Sequence, residues 1–295
     1  MKSLIKTSIR VVRQNPGTLR PRFPHSPRVR VRPVTYSLCF LCAVSLLLAQ
    51  GTRRIPPATI GTAPGPRIVP PPPGYRFPNG QSYVYGVEWH LFNAGTATVR
   101  MDSADVQERV TAIGDSAGFV NTFLKVHDFF EARFDPRTFC SLHVSKHLEE
   151  GSRKGQTELA FDYVHHKSVL DDKNLKKGES RHTENDIPGC VTDVVSGFYY
   201  LASLPLQPGT FNTFVVSDGV RTTDVTAYVE ARDQVKVPAG SYRTVRVKAE
   251  PVSGPLKGKT AILVWFSDDP NHIPVQMRSK LGWGTLVFRL QRLGK

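Results

Sequence analysis

The sequence has few cysteines and no acidic residue in its first 51 positions. Only 4 of its 295 residues are cysteines, and two of these lie in an apolar run near the N-terminus. Residues 1–51 contain nine Lys or Arg, so most of the net charge of +14 comes from this region. The remaining chain has 30 basic and 25 acidic residues without a basic cluster. This distribution argues against a nucleic-acid interface, which needs basic side chains grouped on one face.

Sequence motifs of common catalytic and metal sites are also missing. No Gly-x-Ser-x-Gly turn surrounds Ser196, which argues against a serine nucleophile of that type. His143 and His147 are four residues apart, but the segment 139–148 has a strand pattern and lacks the Glu of a His-Glu-x-x-His zinc motif. Asp268 and Asp269 lie side by side before Pro-Asn, a composition typical of a turn. We therefore expect no metal site and no cofactor.

The apolar run at residues 34–50 is preceded by three arginines between positions 28 and 32. A basic region, an apolar run and small residues ending at Gly51 are typical of a secretory signal. The same run is just long enough for an uncleaved membrane anchor, with its N-terminus held in the cytoplasm. We therefore assign residues 1–51 to a basic N-terminal region with a signal peptide or anchor. The protein is predicted to be periplasmic or otherwise exported, either free or anchored in the inner membrane.

Cys140 and Cys190 are the two cysteines outside that apolar run. In an exported protein two cysteines permit one disulfide. A bridge would close a loop of about 50 residues and stabilise the fold by roughly 3–4 kcal/mol. Two buried free thiols are the alternative, since spacing alone does not establish geometry.

Residues 52–80 are rich in proline and glycine and contain four consecutive prolines. Such composition favours extended polyproline II conformation, so we predict a disordered linker here. Residues 81–293 are then one β-rich domain. Tyr83 and Tyr85 alternate with smaller or polar residues, as in a half-buried strand. The same pattern recurs between turn residues and predicts about thirteen strands in a mostly antiparallel meander. Residues 172–183 are predicted to be a charged loop.

The segment 186–209 is the exception to this β pattern. Its apolar residues recur at helical spacing, Thr192 or Cys190 could cap its start, and prolines end it. A sheet of some thirteen strands must curl or split. The predicted fold is therefore mainly β: a large curled antiparallel sheet, or open half-barrel, with one central helix packed on its concave face.

An ordered set of short motifs resembles a known family. It comprises Asp193, Ser196, Tyr199-Tyr200-Leu201, Pro205-Leu206, Val237–Thr244, Val264–Asp269 and Ile273-Pro274-Val275, with Gly95 in the first hairpin. In this order the residues resemble the bacterial exported family of domain of unknown function 3108 (DUF3108), over roughly 83–290. Ala202 departs from the pattern, since the family's usual Arg would follow the Tyr-Tyr-Leu. The resemblance implies an envelope location and a β-rich fold, and it implies no reaction.

The functional hypothesis is a non-enzymatic envelope protein that binds a lipid, another hydrophobic ligand or a partner protein. Nucleic acid is not an expected partner, and contact with the membrane is expected only through residues 34–50. Two alternatives remain open: a hydrolase of cell-wall or lipid substrates, and a structural interaction module on a proline stalk. The candidate residues are Asp193, Ser196, Tyr199 and Tyr200 on the helix, and Trp265, Asp268, Asp269 and Trp283 at turns and the rim. Asp193 and Ser196 lie three apart on the helix, and we interpret them as a buried polar pair that fixes it to the sheet.

Overall fold

The computed structural model describes residues 65–281 and 284–294, which form fourteen strands and two helices. The elements in chain order are β1 (Ser82–Trp89), β2 (Phe92–Ala104), β3 (Gln107–Ser116), α1 (Gly118–Phe123), β4 (Val126–Phe134), β5 (Ser141–Glu150), β6 (Arg153–Asp162), β7 (Lys167–Asn174), β8 (Glu179–Asp186), α2 (Val194–Ser203), β9 (Phe211–Ser217), β10 (Thr222–Val237), β11 (Gly240–Pro251), β12 (Ile262–Ser267), β13 (Pro274–Leu281) and β14 (Gly284–Gly294).

All fourteen strands belong to one antiparallel sheet, in the order β8-β7-β6-β5-β4-β3-β2-β1-β14-β13-β12-β11-β10-β9. Strands that hydrogen bond to each other are consecutive in the sequence, with one exception: β1 also pairs with β14. This meander agrees with the short connections of the sequence. The sheet is open, with β8 and β9 as its edge strands, and the prediction of a mainly β, curled antiparallel fold is confirmed.

The central helix α2 lies against the concave face of the sheet, as predicted. Its buried residues include Tyr199, Tyr200 and Leu201, which pack with inward-facing residues from several strands. Burial of apolar side chains stabilises this arrangement, because exposing the apolar residues of the helix or of the inner sheet face to water would be unfavourable in free energy. The other buried members of this core are Met101, Val110, Phe134, Phe139, Ala202, Leu206, Phe214, Ala227, Val229, Val245, Val247, Val264 and Phe266.

The segment between β8 and α2 covers part of the edge of β9. Thr192 forms a parallel bridge with Val216, its amide donates to the Val215 carbonyl at 3.0 Å, and its carbonyl accepts from the Ser217 amide at 2.9 Å. On the other side, the Ser141 amide donates to the Val191 carbonyl at 2.9 Å. The two bonds of Thr192 use backbone groups of the edge strand β9 that would otherwise be unpaired.

Gly95, one of the motif residues, lies where β1 and β2 shift register between Val87 and Glu88. A Cβ at this position would collide with the backbone carbonyl of Asp115 on β3, and φ is +159°. Only glycine fits this close approach of two strands. The motif position is thus explained by backbone packing.

The prediction of a charged loop at residues 172–183 is wrong. Most of this segment belongs to the hairpin of β7 and β8, so the sheet has fourteen strands. The strand β8 is largely exposed and has no buried apolar face. Its sequence therefore lacks the alternation of apolar and polar residues that predicts a strand. Charged pairs support the ladder, including Lys167 to Asp186 at 2.6 Å and His182 to Asp171 at 2.8 Å. Charges on an edge strand discourage pairing with other chains.

The structure also differs from the predicted disordered linker at residues 52–80, because the part from Gly65 onward has defined contacts. Tyr75 and Phe77 pack on the core, with Phe77 5.7 Å from Phe134 and 5.5 Å from Phe139 between ring centroids. The Val69 amide donates to the Tyr200 hydroxyl at 3.3 Å. The β domain therefore includes this N-terminal segment, which composition alone presents as a spacer.

The predictions for residues 1–51, including the apolar run at 34–50, and for 52–64 lie outside the described residues. Within residues 65–281 and 284–294, neither α1 nor α2 has the length and hydrophobicity needed to cross a bilayer.

Candidate ligand cavity beside the central helix

The N-terminus of α2 is held by a buried polar cluster. Asp193 caps the helix, accepting hydrogen bonds from the Val195 amide at 2.8 Å and the Ser196 amide at 3.1 Å. Its second oxygen accepts from the Ser196 hydroxyl and from the Ser141 hydroxyl, the latter at 2.7 Å. The cap is thus Asp193, and the predicted alternatives Thr192 and Cys190 are wrong. Asp193 is 3% exposed and Ser196 is fully buried.

This cluster has the geometry of a structural anchor. The two carboxylate oxygens of Asp193 accept four hydrogen bonds, which is the way a buried charge is tolerated without a cation. Ser141 begins β5, so the cluster joins the helix to the sheet. No histidine among the described residues hydrogen bonds to Ser196, and its hydroxyl does not reach an open cleft. The hydrolase alternative therefore loses its proposed nucleophile.

Cys140 and Cys190 form a disulfide, with their Cα atoms 5.1 Å apart. Cys140 follows the turn between β4 and β5, and Cys190 lies in the segment that leads to the cap of α2. The bridge therefore connects this segment to the same region of the sheet as the Ser141–Asp193 contact. The bridge thus joins the two chain segments that precede β5 and α2.

An apolar cavity of about 270 Å³ lies between α2 and the inward faces of the neighbouring strands. Val195 and Phe198 of the helix form one wall, and both remain partly exposed although they point towards the sheet. Larger side chains do not fill the space between them and the sheet. The complete lining is Tyr75, Pro78, Tyr83, Tyr85, Val99, Ala112, Val194, Val195, Phe198, Tyr199, Ala202, Ile262, Phe266, Asn271, His272, Pro274, Met277, Ser279, Leu286 and Phe288.

A second cavity of about 240 Å³ lies beside the same helix, towards β9 to β12. It shares Val194, Phe198, Ile262 and Ser279 with the first, so the two are adjacent lobes of one apolar space. Asp218 and Arg221 provide its charged lining groups. Such volumes, apolar walls and few polar groups are typical of sites for small hydrophobic ligands.

Four tyrosines line the first lobe: Tyr75, Tyr83, Tyr85 and Tyr199. The Tyr85 hydroxyl donates to the Pro274 carbonyl at 2.9 Å, and the Tyr83 hydroxyl donates to the Gln81 side chain at 3.1 Å. Burial raises the pKa of Tyr83 to about 12, and it raises the pKa of the other three above the usual tyrosine value. The charge of neighbouring phenols adds to the pKa shifts of Tyr75, Tyr85 and Tyr199. The carboxylates of Glu108 and Asp269 add to those of Tyr75 and Tyr83, respectively, so all four phenols remain protonated.

A small cavity of about 80 Å³ adjoins the first lobe at Leu286 and Phe288 and is lined by three carboxylates, Asp115, Asp128 and Glu150. Burial, followed by the neighbouring Glu150 carboxylate, raises the pKa of Asp128 to about 6. Arg153 pairs with Glu150 at 2.9 Å. Asp128 is thus the acidic group of this region whose charge is disfavoured by folding.

The Asp128→Asn variant should be more stable than the parent above pH 6. The folded pKa exceeds the unfolded value, so the charged form costs stability above pH 6, and this cost disappears as pH falls towards 4. The gain should be on the order of 1 kcal/mol, since Asp128 is only half-buried and solvent screens the repulsion. Guanidinium unfolding between pH 4 and 8 measures it, with the exposed Asp105→Asn as control. A gain that is equal at pH 4 and pH 8 would contradict the assignment.

The other candidate residues are spread over the fold. Tyr200 is buried in the core, where its hydroxyl donates to the Asn212 side chain at 2.9 Å. Trp265 points away from the cavity and donates to Asp233 at 2.8 Å, so it is not a rim residue. Asp268 accepts from Arg232 at 3.2 Å, and Asp269 accepts from the Asn271 amide at 2.8 Å, which fits the predicted turn. Trp283 lies outside the described residues.

Sequence reasoning missed most of the cavity lining. The sequence places Tyr83 and Tyr85 on one face of a half-buried strand and Tyr75 in the linker. An alternating strand shows which side chains face inward, but it does not show whether the interior is filled. Among the described residues, no group of His, Cys, Asp or Glu could hold a metal ion.

Comparisons with known proteins agree with this structure. The family model described as "Protein of unknown function (DUF3108)" matches residues 84–291. No curated protein matches. A β-barrel-like protein of family DUF1849 from Brucella abortus has TM-score 0.53 and 10% identity, covering 77% of this chain and 98% of that chain. A Bacteroides fragilis protein with a YmcC-like fold, inferred to be exported, has TM-score 0.33 and 10% identity, with 78% and 100% covered. A Parabacteroides distasonis protein, inferred to be a lipoprotein, has TM-score 0.32 and 11% identity, with 78% and 99% covered.

Proposed function

The chain belongs to the DUF3108 family, whose members have no established activity, and we propose that it is an exported envelope protein that binds the acyl chain of a lipid inside its curled sheet. The observation that carries the proposal is the two-lobed apolar space on either side of Val194 and Phe198. Apolar side chains around a space of this size lack the dispersion contacts of a packed core, and an acyl chain would supply them.

Export is supported by two independent features. The apolar run at residues 34–50 has the composition of a secretory signal. Disulfides such as Cys140–Cys190 form and persist in oxidising compartments such as the periplasm, which supports export.

The interaction-module alternative has less support. It requires residues 52–80 to act as a free spacer, whereas Ile68, Val69, Tyr75 and Phe77 pack on the domain. A spacer could extend only through the residues before this packed segment. Binding of a partner protein becomes the favoured function if the cavity takes no cargo.

Native mass spectrometry of the full chain, purified from the periplasm of a bacterial host, tests the proposal. We expect a reproducible added mass that organic extraction removes. The Ser279→Phe variant should retain about tenfold less of it, because Ser279 lines both lobes and a phenylalanine would occupy the ligand's space.

The Lys280→Phe variant is the matched control, since residue 280 is exposed and points to the opposite face of the same strand. It should retain the cargo of the parent. A bare protein mass before extraction would contradict acyl-chain binding. Equal cargo in a folded Ser279→Phe chain would place the ligand elsewhere.

A further inference from the structure

The tyrosines of the first lobe differ in how their hydroxyl groups are satisfied. Tyr83 and Tyr85 donate to protein acceptors, Gln81 and the Pro274 carbonyl. Tyr75 and Tyr199 also line the lobe, but their hydroxyls have no hydrogen-bond partner among the described residues. Tyr199 is 7% exposed. Neither hydroxyl is among the buried polar atoms that lack a partner, so both are accessible and available to donate to an acceptor on a ligand that enters the lobe.

The charge of the lining restricts what this acceptor can be. The first lobe is lined by no Lys, Arg, Asp or Glu. His272 is its one basic side chain, and Nδ1 of the ring donates to the Ala202 carbonyl at 2.7 Å. A carboxylate placed here would be desolvated without a Lys or Arg to neutralise it, which is strongly unfavourable.

We propose that the first lobe binds an acyl chain that ends in a neutral ester, whose carbonyl oxygen accepts hydrogen bonds from the Tyr75 and Tyr199 hydroxyls. This inference rests on the proposed acyl-chain binding and specifies the ligand class. The phenols suit the role because they remain protonated donors, as burial and their mutual proximity raise their pKa. The rest of the lining supplies only apolar contact for the chain, through residues such as Val195, Phe198 and Met277.

Three ligands of equal acyl or alkyl chain length test the inference on the full-length protein: methyl palmitate, palmitate and hexadecane. A ligand that binds should displace the fluorescent dye N-phenyl-1-naphthylamine at pH 7.5. The ester should bind about tenfold more tightly than hexadecane, as expected for one or two net hydrogen bonds. Palmitate should bind more weakly than the ester, because its charge must be buried.

The variants Tyr199→Phe and Tyr75→Phe remove the donors and keep the rings. Each should weaken the ester about fivefold and leave hexadecane unchanged. Tyr228→Phe is the matched control, since Tyr228 is exposed and lies outside the cavity. The ratio of the ester affinity to the hexadecane affinity is measured on the parent protein. The inference can therefore be tested even if a variant fails to fold.

The possible results separate the two proposals. If palmitate binds as tightly as the ester, or if Tyr199→Phe leaves the ester unaffected, the ester assignment is overturned and acyl-chain binding stands. If none of the three compounds displaces the probe from the parent chain, acyl-chain binding fails and the ester assignment fails with it.

Discussion

Replacing Asp193 with alanine should destabilise the protein by about 3–4 kcal/mol, the largest effect expected of a single substitution. The change removes the helix cap and leaves the Val195 amide, the Ser196 amide and the Ser141 hydroxyl without their acceptor inside the fold. Lost caps alone cost about 1 kcal/mol, and unsatisfied buried donors add to this. The free energy of unfolding in guanidinium measures the loss.

Asp186→Ala is the control, since Asp186 is an exposed residue that pairs with Lys167 on the surface. Exposed pairs of this kind contribute little to stability. Asp193→Asn should lie between the parent and Asp193→Ala, because an amide keeps one oxygen but directs an NH₂ group towards the cluster. A loss below about 1 kcal/mol in Asp193→Ala would show that the cluster does not anchor α2.

Removing the disulfide should cost about 4 kcal/mol, the expected value for a closed loop with a sequence separation of 50 residues. The bridge restricts the unfolded chain, and it holds the segment that positions the Asp193 cap beside β5. The double variant Cys140→Ala/Cys190→Ala should therefore unfold at a lower guanidinium concentration than the parent.

Dithiothreitol provides an internal control for this prediction. It should destabilise the parent towards the double variant and should not alter the double variant itself. If the parent is equally stable with and without the reductant while its thiols titrate as free after treatment, the bridge does not stabilise the fold. Because the bridge and the cap hold the same segment, their effects should not be additive.

Much of the fold could be predicted from the sequence because its signals are local. Alternating residues such as Tyr83 and Tyr85 identify strands, and the helical spacing around Tyr199 identifies the one apolar helix. The ordered motifs identified the family, which the match over residues 84–291 confirms. The pairing of Asp193 with Ser196 followed from their spacing on a helix.

Other elements were missed because their signals are not local. The strand β8 has few buried side chains and is held by its ladder with β7, which alternation does not reveal. Residues 65–80 appear as a spacer from their prolines, yet Tyr75 and Phe77 pack against Phe134 and Phe139. A few aromatic side chains can hold a proline-rich segment when a distant part of the chain provides the surface.

The sequence by itself determined the antiparallel meander, the inward position of one helix and the cysteine pair available for a bridge, since all three follow from periodicity, chain order and residue type. Only the tertiary structure decided that side chains do not fill the space around Phe198 and that Tyr75 and Tyr199 line it. The reason is geometric: the curvature of a fourteen-stranded sheet sets the distance to the helix, and a cavity is the difference between that distance and the reach of the side chains.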